Sequence, residues 1–234
     1  MKRFIGNILM FSVVLFGLSS CELFGLDLQE NAEFDDTQIN TSIDMTAWEY
    51  IKTNPQDFSV LKEAVEYAGL EDEFEIDGRT FLLMNNRALG DDSYSGTYFT
   101  MNKIPNSNYD PENPDNGPEF IVPTSWDSYP KEQVVNLIKY HILREPVSIK
   151  ESMDYKIWFP TLAYEEKGDT ALVCTEWVRD RNCAFRFNNF VGSRLTNLTP
   201  KISNMKCTNG YIHVFQEWMA PPTKEILESY GVDF

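Results

Sequence analysis

The chain has 234 residues, 42% of them hydrophobic and 14% aromatic, a composition with ample material for a globular core. Its 36 acidic residues outnumber 20 basic ones, giving a formal net charge of −16. So acidic a surface repels nucleic acid and anionic headgroups, which argues against both as direct partners and leaves proteins, neutral sugars or cations.

The chain opens on Lys2 and Arg3, continues with a charge-free apolar run over residues 4–18, and then reads Leu18-Ser19-Ser20-Cys21. The run is short for a bilayer span and has basic residues in front, which predicts an export signal over residues 1–20. Its end resembles the lipobox of bacterial lipoproteins. That resemblance implies cleavage before Cys21, lipidation of its thiol and acylation (palmitate or a similar chain) of the new amino terminus. Two or more acyl chains hold stably, because each buried methylene contributes about 0.8 kcal/mol. Glu22 stands where some inner-membrane lipoproteins carry aspartate, so the expected location is the outer membrane, on its cell-surface or periplasmic face. The alternatives are an ordinary cleaved signal and an uncleaved apolar helix. Without the leader, 214 residues and a net charge of −18 remain, enough for one large domain.

Residues 21–44 read as an acidic tether. Thr46 and Glu49 form a capping-box pattern that opens a short helix, stopped near Pro55. Phe58, Leu61, Val65 and Ala68 mark a second helix ending at Gly69. The apolar run 80–84 predicts a buried strand. Residues 90–126 are rich in Gly, Pro, Asn and Asp and read as a long insertion, with a candidate strand over 98–101. Pro130 opens a helix through Val134, Leu137, Ile138 and His141. Beyond Pro146 candidate strands occupy 147–149, 155–164, 170–177, 183–190 and 211–218, and a helix over 223–230 closes the chain at Gly231. Helices early and strands late predict an α+β fold around one core.

Four stretches in this order resemble the fasciclin-type domain family. They are Trp48-Glu49-Tyr50-Ile51 through Gly69-Leu70, Thr80-Phe81-Leu82-Leu83-Met84 with the following Asn85 to Leu89, Tyr140-His141, and Asn209-Gly210-Tyr211-Ile212-His213-Val214 before Pro221-Pro222. The similarity covers about residues 45–222, with residues 223–234 a C-terminal helix outside it. Two departures stand out: Leu83-Met84-Asn85 replaces the family's apolar-proline-threonine, and the 90–126 insertion is longer than usual. The resemblance implies a wedge-shaped β-sandwich with flanking helices, used for adhesion and binding rather than catalysis. It also implies that Tyr140, His141, Asn209, Gly210, Ile212 and His213 are structural.

The residues themselves agree with a non-enzymatic reading. The only histidines, His141 and His213, lie among apolar neighbours, where buried hydrogen-bonded imidazoles are expected rather than a catalytic or metal pair. There is no Gly-x-Ser-x-Gly elbow, phosphate-cradling glycine loop or dinucleotide fingerprint. No cofactor and no metal are expected. Residues 110–117 concentrate oxygen ligands but lack EF-hand spacing, so a solvated acidic loop is the simpler reading. After Cys21, three cysteines remain. Cys174 and Cys183 flank a candidate hairpin turn, so a disulfide between them and a set of buried free thiols, Cys207 included, both stay open.

Tyr94, Tyr98, Tyr109 and Trp126, with Tyr129 nearby, crowd the insertion. Exposed, they form a candidate binding platform for sugar rings or a protein; buried, they anchor the loop, which is the expectation for most of them. The expected function is a lipid-anchored cell-surface adhesion or binding module with an extracellular protein or glycan ligand. The alternatives are an accessory subunit in an outer-membrane transporter complex for polymer uptake, and an envelope glycan hydrolase.

Overall fold

The computed structural model describes residues 42–91, 93–148, 156–165, 168–178 and 184–233. Cys21, the leader and most of the tether lie outside these residues, which all belong to one compact unit beginning at Asn40. The first helix, α1 (Ala47–Thr53), starts on the capping box read from the sequence. Thr46 Oγ1 accepts from the Glu49 amide at 3.2 Å, and Glu49 Oε2 accepts from the Thr46 amide at 2.9 Å. Pro55 opens α2 (Pro55–Ala68), whose Phe58, Leu61, Val65 and Ala68 are buried. Gly69 ends it in the left-handed region at φ 72°, where a Cβ would be strained.

The apolar run then becomes β1 (Arg79–Met84), buried at every position after the first. It sits inside a four-stranded sheet ordered β4 (Ile142–Leu143), β1, β9 (Gly210–Phe215), β8 (Ile202–Cys207). The β1–β9 pair is parallel, with Phe81 opposite Ile212 and Leu83 opposite Val214; its other neighbours are antiparallel. A second sheet is antiparallel and ordered β5 (Ile157–Pro160), β6 (Leu172–Val178), β7 (Ala184–Phe187). Within the insertion, β2 (Ile104–Pro105) and β3 (Phe120–Ile121) pair as a short separate ribbon. Helices α3 (Asn86–Leu89), α4 (Tyr98–Met101), α5 (Lys131–Tyr140) and α6 (Lys224–Ser229) are the other described α-helices, and 3-10 turns occupy Glu71–Phe74, Pro114–Asn116 and Trp126–Ser128.

Strand alternation divides the apolar side chains between two clusters. Phe81, Leu83, Ile212 and Val214 face α1, α2 and α5 through Trp48, Phe58, Leu61, Val134 and Ile138. Leu82 and Phe215 point to the opposite face, where Val173, Phe185 and Phe187 of the three-stranded sheet cover them. A sheet buried on both faces explains why β1 reads as an unbroken hydrophobic run rather than an alternating one. Helices on one face and a second sheet on the other make this an α+β fold.

Several expected elements take another form. Residues 98–101 are the helical turn α4 and not a strand, because the Thr97 hydroxyl caps the Thr100 amide at 3.1 Å. Val147 is no strand residue; its amide instead donates to Thr80 Oγ1 at 2.6 Å, and Ile149 lies outside the described residues. The 183–190 strand shrinks to β7, halted where Asn188 enters the left-handed region at φ 47°. Strand β8 has no counterpart in the sequence reading. Its ladder slips between Ile202 and Met205, with Asn204 at φ 56°, so its side chains never alternate cleanly. No described helix is long and apolar enough to cross a membrane.

Candidate binding surface

Tyr140 and His141 close α5 and tie three elements together. The Tyr140 hydroxyl donates to the Leu172 carbonyl at 2.9 Å and accepts from Asn188 Nδ2 at 2.8 Å, with the Ala220 carbonyl 3.2 Å away. Burial pushes its phenol far above the ordinary range. His141 Nδ1 donates to the Leu137 carbonyl at 2.8 Å, which leaves Nε2 to accept from the Met219 amide at 3.1 Å. His213 is satisfied in the same way. Its Nε2 donates to the Val147 carbonyl at 3.2 Å, and its Nδ1 accepts from the Asn204 amide at 3.3 Å. Asn209 Oδ1 accepts from the Ala47 amide at 3.1 Å and so caps α1, while its Nδ2 donates to the Phe74 carbonyl at 2.7 Å. Ile212 is fully buried between β1 and β8. These side chains spend their polar atoms on the scaffold.

Desolvation lowers both imidazoles to about 4, each slightly opposed by its backbone acceptor. The folded state therefore holds them neutral, whereas the unfolded chain protonates them below about 6.5. The unfolded state binds more protons in that window, so stability is complete above pH 6.5 and falls as pH drops toward 4. Urea unfolding should lose about 2 kcal/mol per imidazole between pH 7 and pH 5. A flat profile over that range would mean that the histidines are not buried neutral.

The aromatic residues of the insertion do not form an open platform. Trp126 is buried, which removes it from the candidate binding surface, and Tyr98 is buried except where it lines the cleft described below. Tyr98 packs against Trp126, Tyr129 and Trp218 with centroids 5.2–5.6 Å apart. Trp126 Nε1 donates to the Val60 carbonyl of α2 at 2.9 Å, and the Tyr129 hydroxyl donates to the Asn102 carbonyl at 2.7 Å. The indole and phenol act as pegs, burying large area while their polar tips find backbone partners. Tyr94 is half-buried, with its hydroxyl on Glu217 and the Arg87 guanidinium over its ring at 4.6 Å. Of the four platform residues only Tyr109 is exposed.

What those pegs hold in place is an apolar surface that the sequence reading did not single out. On the ribbon, Phe120, Ile121 and Val122 are 48%, 37% and 41% exposed, and Met101 on the adjoining turn is 55% exposed. Beside them a groove of about 570 Å³ runs between Met101–Pro105 and the residues around Tyr129 and Gln133. A cleft of about 580 Å³ continues from the same Asn102 and Gln133 toward Trp218, with Glu132, Glu165 and Asp169 on its rim. Such a surface offers apolar contact flanked by amides, the usual makeup of a recognition patch. Its one sequence signal, a charge-free Phe-Ile-Val triple between Glu119 and Pro123, reads equally well as core.

Cys174 is a free, buried thiol whose place on β6 lies opposite Asn188, and desolvation pushes it up to about 12. It forms no disulfide; Cys183 lies outside the described residues. Cys207 is likewise free and buried. In the acidic loop, Asp110 and Asn113 turn their oxygens back onto the amides of Glu112 and Asp115. Among the described residues no group of three or more His, Cys, Asp or Glu could hold a metal ion.

No family model matches the chain, and no curated protein matches it in sequence. Its function must therefore be argued from this surface and this scaffold.

Proposed function

We propose that this chain is an outer-membrane lipoprotein whose single fasciclin-like domain is a non-enzymatic binding module for an extracellular protein. The observation that carries the reading is the exposed apolar ribbon, Phe120 to Val122, pinned to the domain by buried aromatic pegs. Covering those three half-exposed side chains would contribute roughly 1 kcal/mol each, a useful start toward affinity. Aliphatic and aromatic side chains presented together suit a protein partner better than a sugar, whose hydroxyls need polar contacts.

Support for the fasciclin-like wedge comes from the pairing of its two signature stretches. The 80–84 run and the 209–214 run lie side by side as β1 and β9, with the intervening motif Tyr140-His141 locking α5 to the second sheet. The lipid anchor rests on the basic start at Lys2 and Arg3, the apolar run over residues 4–18 and the lipobox-like Leu18-Ser19-Ser20-Cys21.

Two measurements test the proposal. Full-length protein should fractionate with membranes and be shaved from intact cells by protease, and Cys21→Ala should lose the membrane association. Phe120→Asp with Ile121→Asp should weaken capture of the extracellular partner at least tenfold while shifting unfolding free energy by no more than about 0.5 kcal/mol. Co-purification with an outer-membrane transporter through the same ribbon would instead make the module part of a polymer-uptake assembly. Turnover of an envelope glycan by the pure protein would overturn the binding reading.

A further inference from the structure

A second pocket, sharing no residue with the ribbon, lies where α3 meets the loop before β8. Its volume is about 400 Å³, within the range of small-ligand sites, and Arg87, Lys201, Thr196, Asn197, Thr199 and Gln216 line it together with Glu217. Glu217 brings the pocket's only carboxylate, and both of its oxygens are engaged. Oε1 accepts from the Tyr94 hydroxyl, and Oε2 accepts from Arg194 Nη2 at 3.1 Å. Arg194 is itself held by stacking on Trp218 at 4.3 Å and by donating to the Trp218 carbonyl at 2.7 Å.

The other charges have no contact ion pair, although Asp91 is near enough to Arg87 for the two to attract through space. Neither Arg87 nor Lys201 forms an ion pair among the described residues, although the chain carries 36 acidic residues. Arg87 is nonetheless oriented, since the Tyr94 ring lies under its guanidinium at 4.6 Å. The main chain of Lys201 is fixed by its amide, which donates to the Val214 carbonyl at 2.7 Å. Between them, the buried Leu198 pins the loop and accepts from the Phe187 amide at 2.9 Å. That anchor leaves Thr196, Asn197 and Thr199 turned to solvent. Their side chains and that of Gln216 make no hydrogen bond among the described residues.

Two cations outside any contact ion pair and four neutral groups without a hydrogen bond among the described residues thus face one concave site in a strongly acidic molecule. An inorganic anion can accept from the cations, hydroxyls and NH2 groups but donates little in return, so it would leave the Asn197 and Gln216 carbonyl oxygens without a donor. A neutral sugar would hydrogen-bond to all of these groups but bring no negative charge to Arg87 and Lys201. A ligand that pairs both carries a carboxylate on a hydroxyl-rich ring. We propose that this pocket binds an acidic oligosaccharide, with Arg87 and Lys201 holding a uronate carboxylate and Thr196, Asn197, Thr199 and Gln216 its hydroxyls.

The site is independent of the protein partner proposed for the ribbon. Titration calorimetry of the full-length chain in detergent with digalacturonate, lactose and inorganic phosphate tests it. Digalacturonate should bind saturably, at least tenfold more tightly than lactose, and phosphate at equal concentration should not displace it. Arg87→Gln and Lys201→Gln should each weaken binding about tenfold, and the pair together should abolish it. Both side chains are exposed, so the variants should keep the parent Tm. Raising salt from about 20 to about 300 mM should weaken the uronate several-fold, because exposed charges are screened over that range. Lack of saturable binding, equal affinity for lactose, displacement by phosphate, or parent-like binding by the double variant would each overturn the assignment.

Discussion

Gly210→Ala should cost about 3–5 kcal/mol of unfolding free energy and leave a domain barely folded at 37 °C. A Cβ at Gly210 would lie 1.9 Å from the Arg79 carbonyl oxygen and 2.9 Å from its carbon. The obstruction is backbone, so no side chain can swing aside. Relief requires β9 to move away from β1, yet Gly210 begins a parallel ladder that runs from Arg79 to Met84. The Asn209 carbonyl also accepts from the Gly78 amide at 2.9 Å, which pins the same corner. Gly231→Ala is the matched comparison. It has φ +66° but nothing within 4 Å of the added carbon, so it should cost only the backbone strain of about 1–2 kcal/mol. Urea unfolding followed by tryptophan fluorescence separates the two. A Gly210→Ala domain within about 0.5 kcal/mol of the parent, the range of ordinary surface changes, would mean that β1 and β9 do not pair in this register.

Asn188→Ala should be nearly as damaging, at about 3–4 kcal/mol, through the other core. Asn188 Oδ1 accepts from the Cys174 amide at 3.1 Å, and its Nδ2 donates to the Tyr140 hydroxyl at 2.8 Å and lies 3.2 Å from the Ala220 carbonyl. One buried amide thereby joins α5, the three-stranded sheet and the segment after β9. Alanine leaves the Cys174 amide buried without an acceptor, a desolvation penalty of about 1–3 kcal/mol. It also takes the Nδ2 donor from the Tyr140 hydroxyl and vacates the volume of the amide, about 1–2 kcal/mol more. Asn188→Gly removes the same bonds but not the permitted backbone conformation, so it should recover about 1 kcal/mol relative to alanine. If Tyr140→Phe and Asn188→Ala simply add, with no coupling between them, the two side chains do not share the bond described.

The parts of the fold that were legible in the sequence are those written in short-range chemistry. Thr46 and Glu49 satisfy each other's amides within one turn, Pro55 and Gly69 bound α2, and Pro130 precedes α5. Each acts over four residues or fewer, so no distant neighbour can revise it. Strand β8 escaped because its information is not local. The bulge at Asn204 breaks the period-two pattern, and what holds it there is His213 from the next strand, accepting the Asn204 amide. Residues 98–101 misled for the reverse reason. Tyr-Phe-Thr-Met has the composition of a strand, but one hydroxyl at Thr97 is enough to start a helical turn.

The candidate surfaces show the same division. Sequence marked the insertion as an aromatic-rich recognition segment, yet it could not rank its aromatics. Trp126 is buried because α2 offers a carbonyl for its indole, while Phe120 is exposed because no described element covers the short ribbon that carries it. Arg87 and Lys201 stand 114 positions apart, and only the β1–β9 pairing brings the segments that carry them to one pocket.

By itself the sequence determined the bounds of α1, α2 and α5, the apolar run of β1 and the acidic charge balance of this protein, because caps, prolines and side-chain hydrophobicity act where they stand. Only the tertiary structure decided which apolar groups stay in water, which cations go unpaired and which histidines stay neutral. Those outcomes depend on what surface the rest of the chain supplies to cover each group, and that is a property of pairings between segments far apart in the chain.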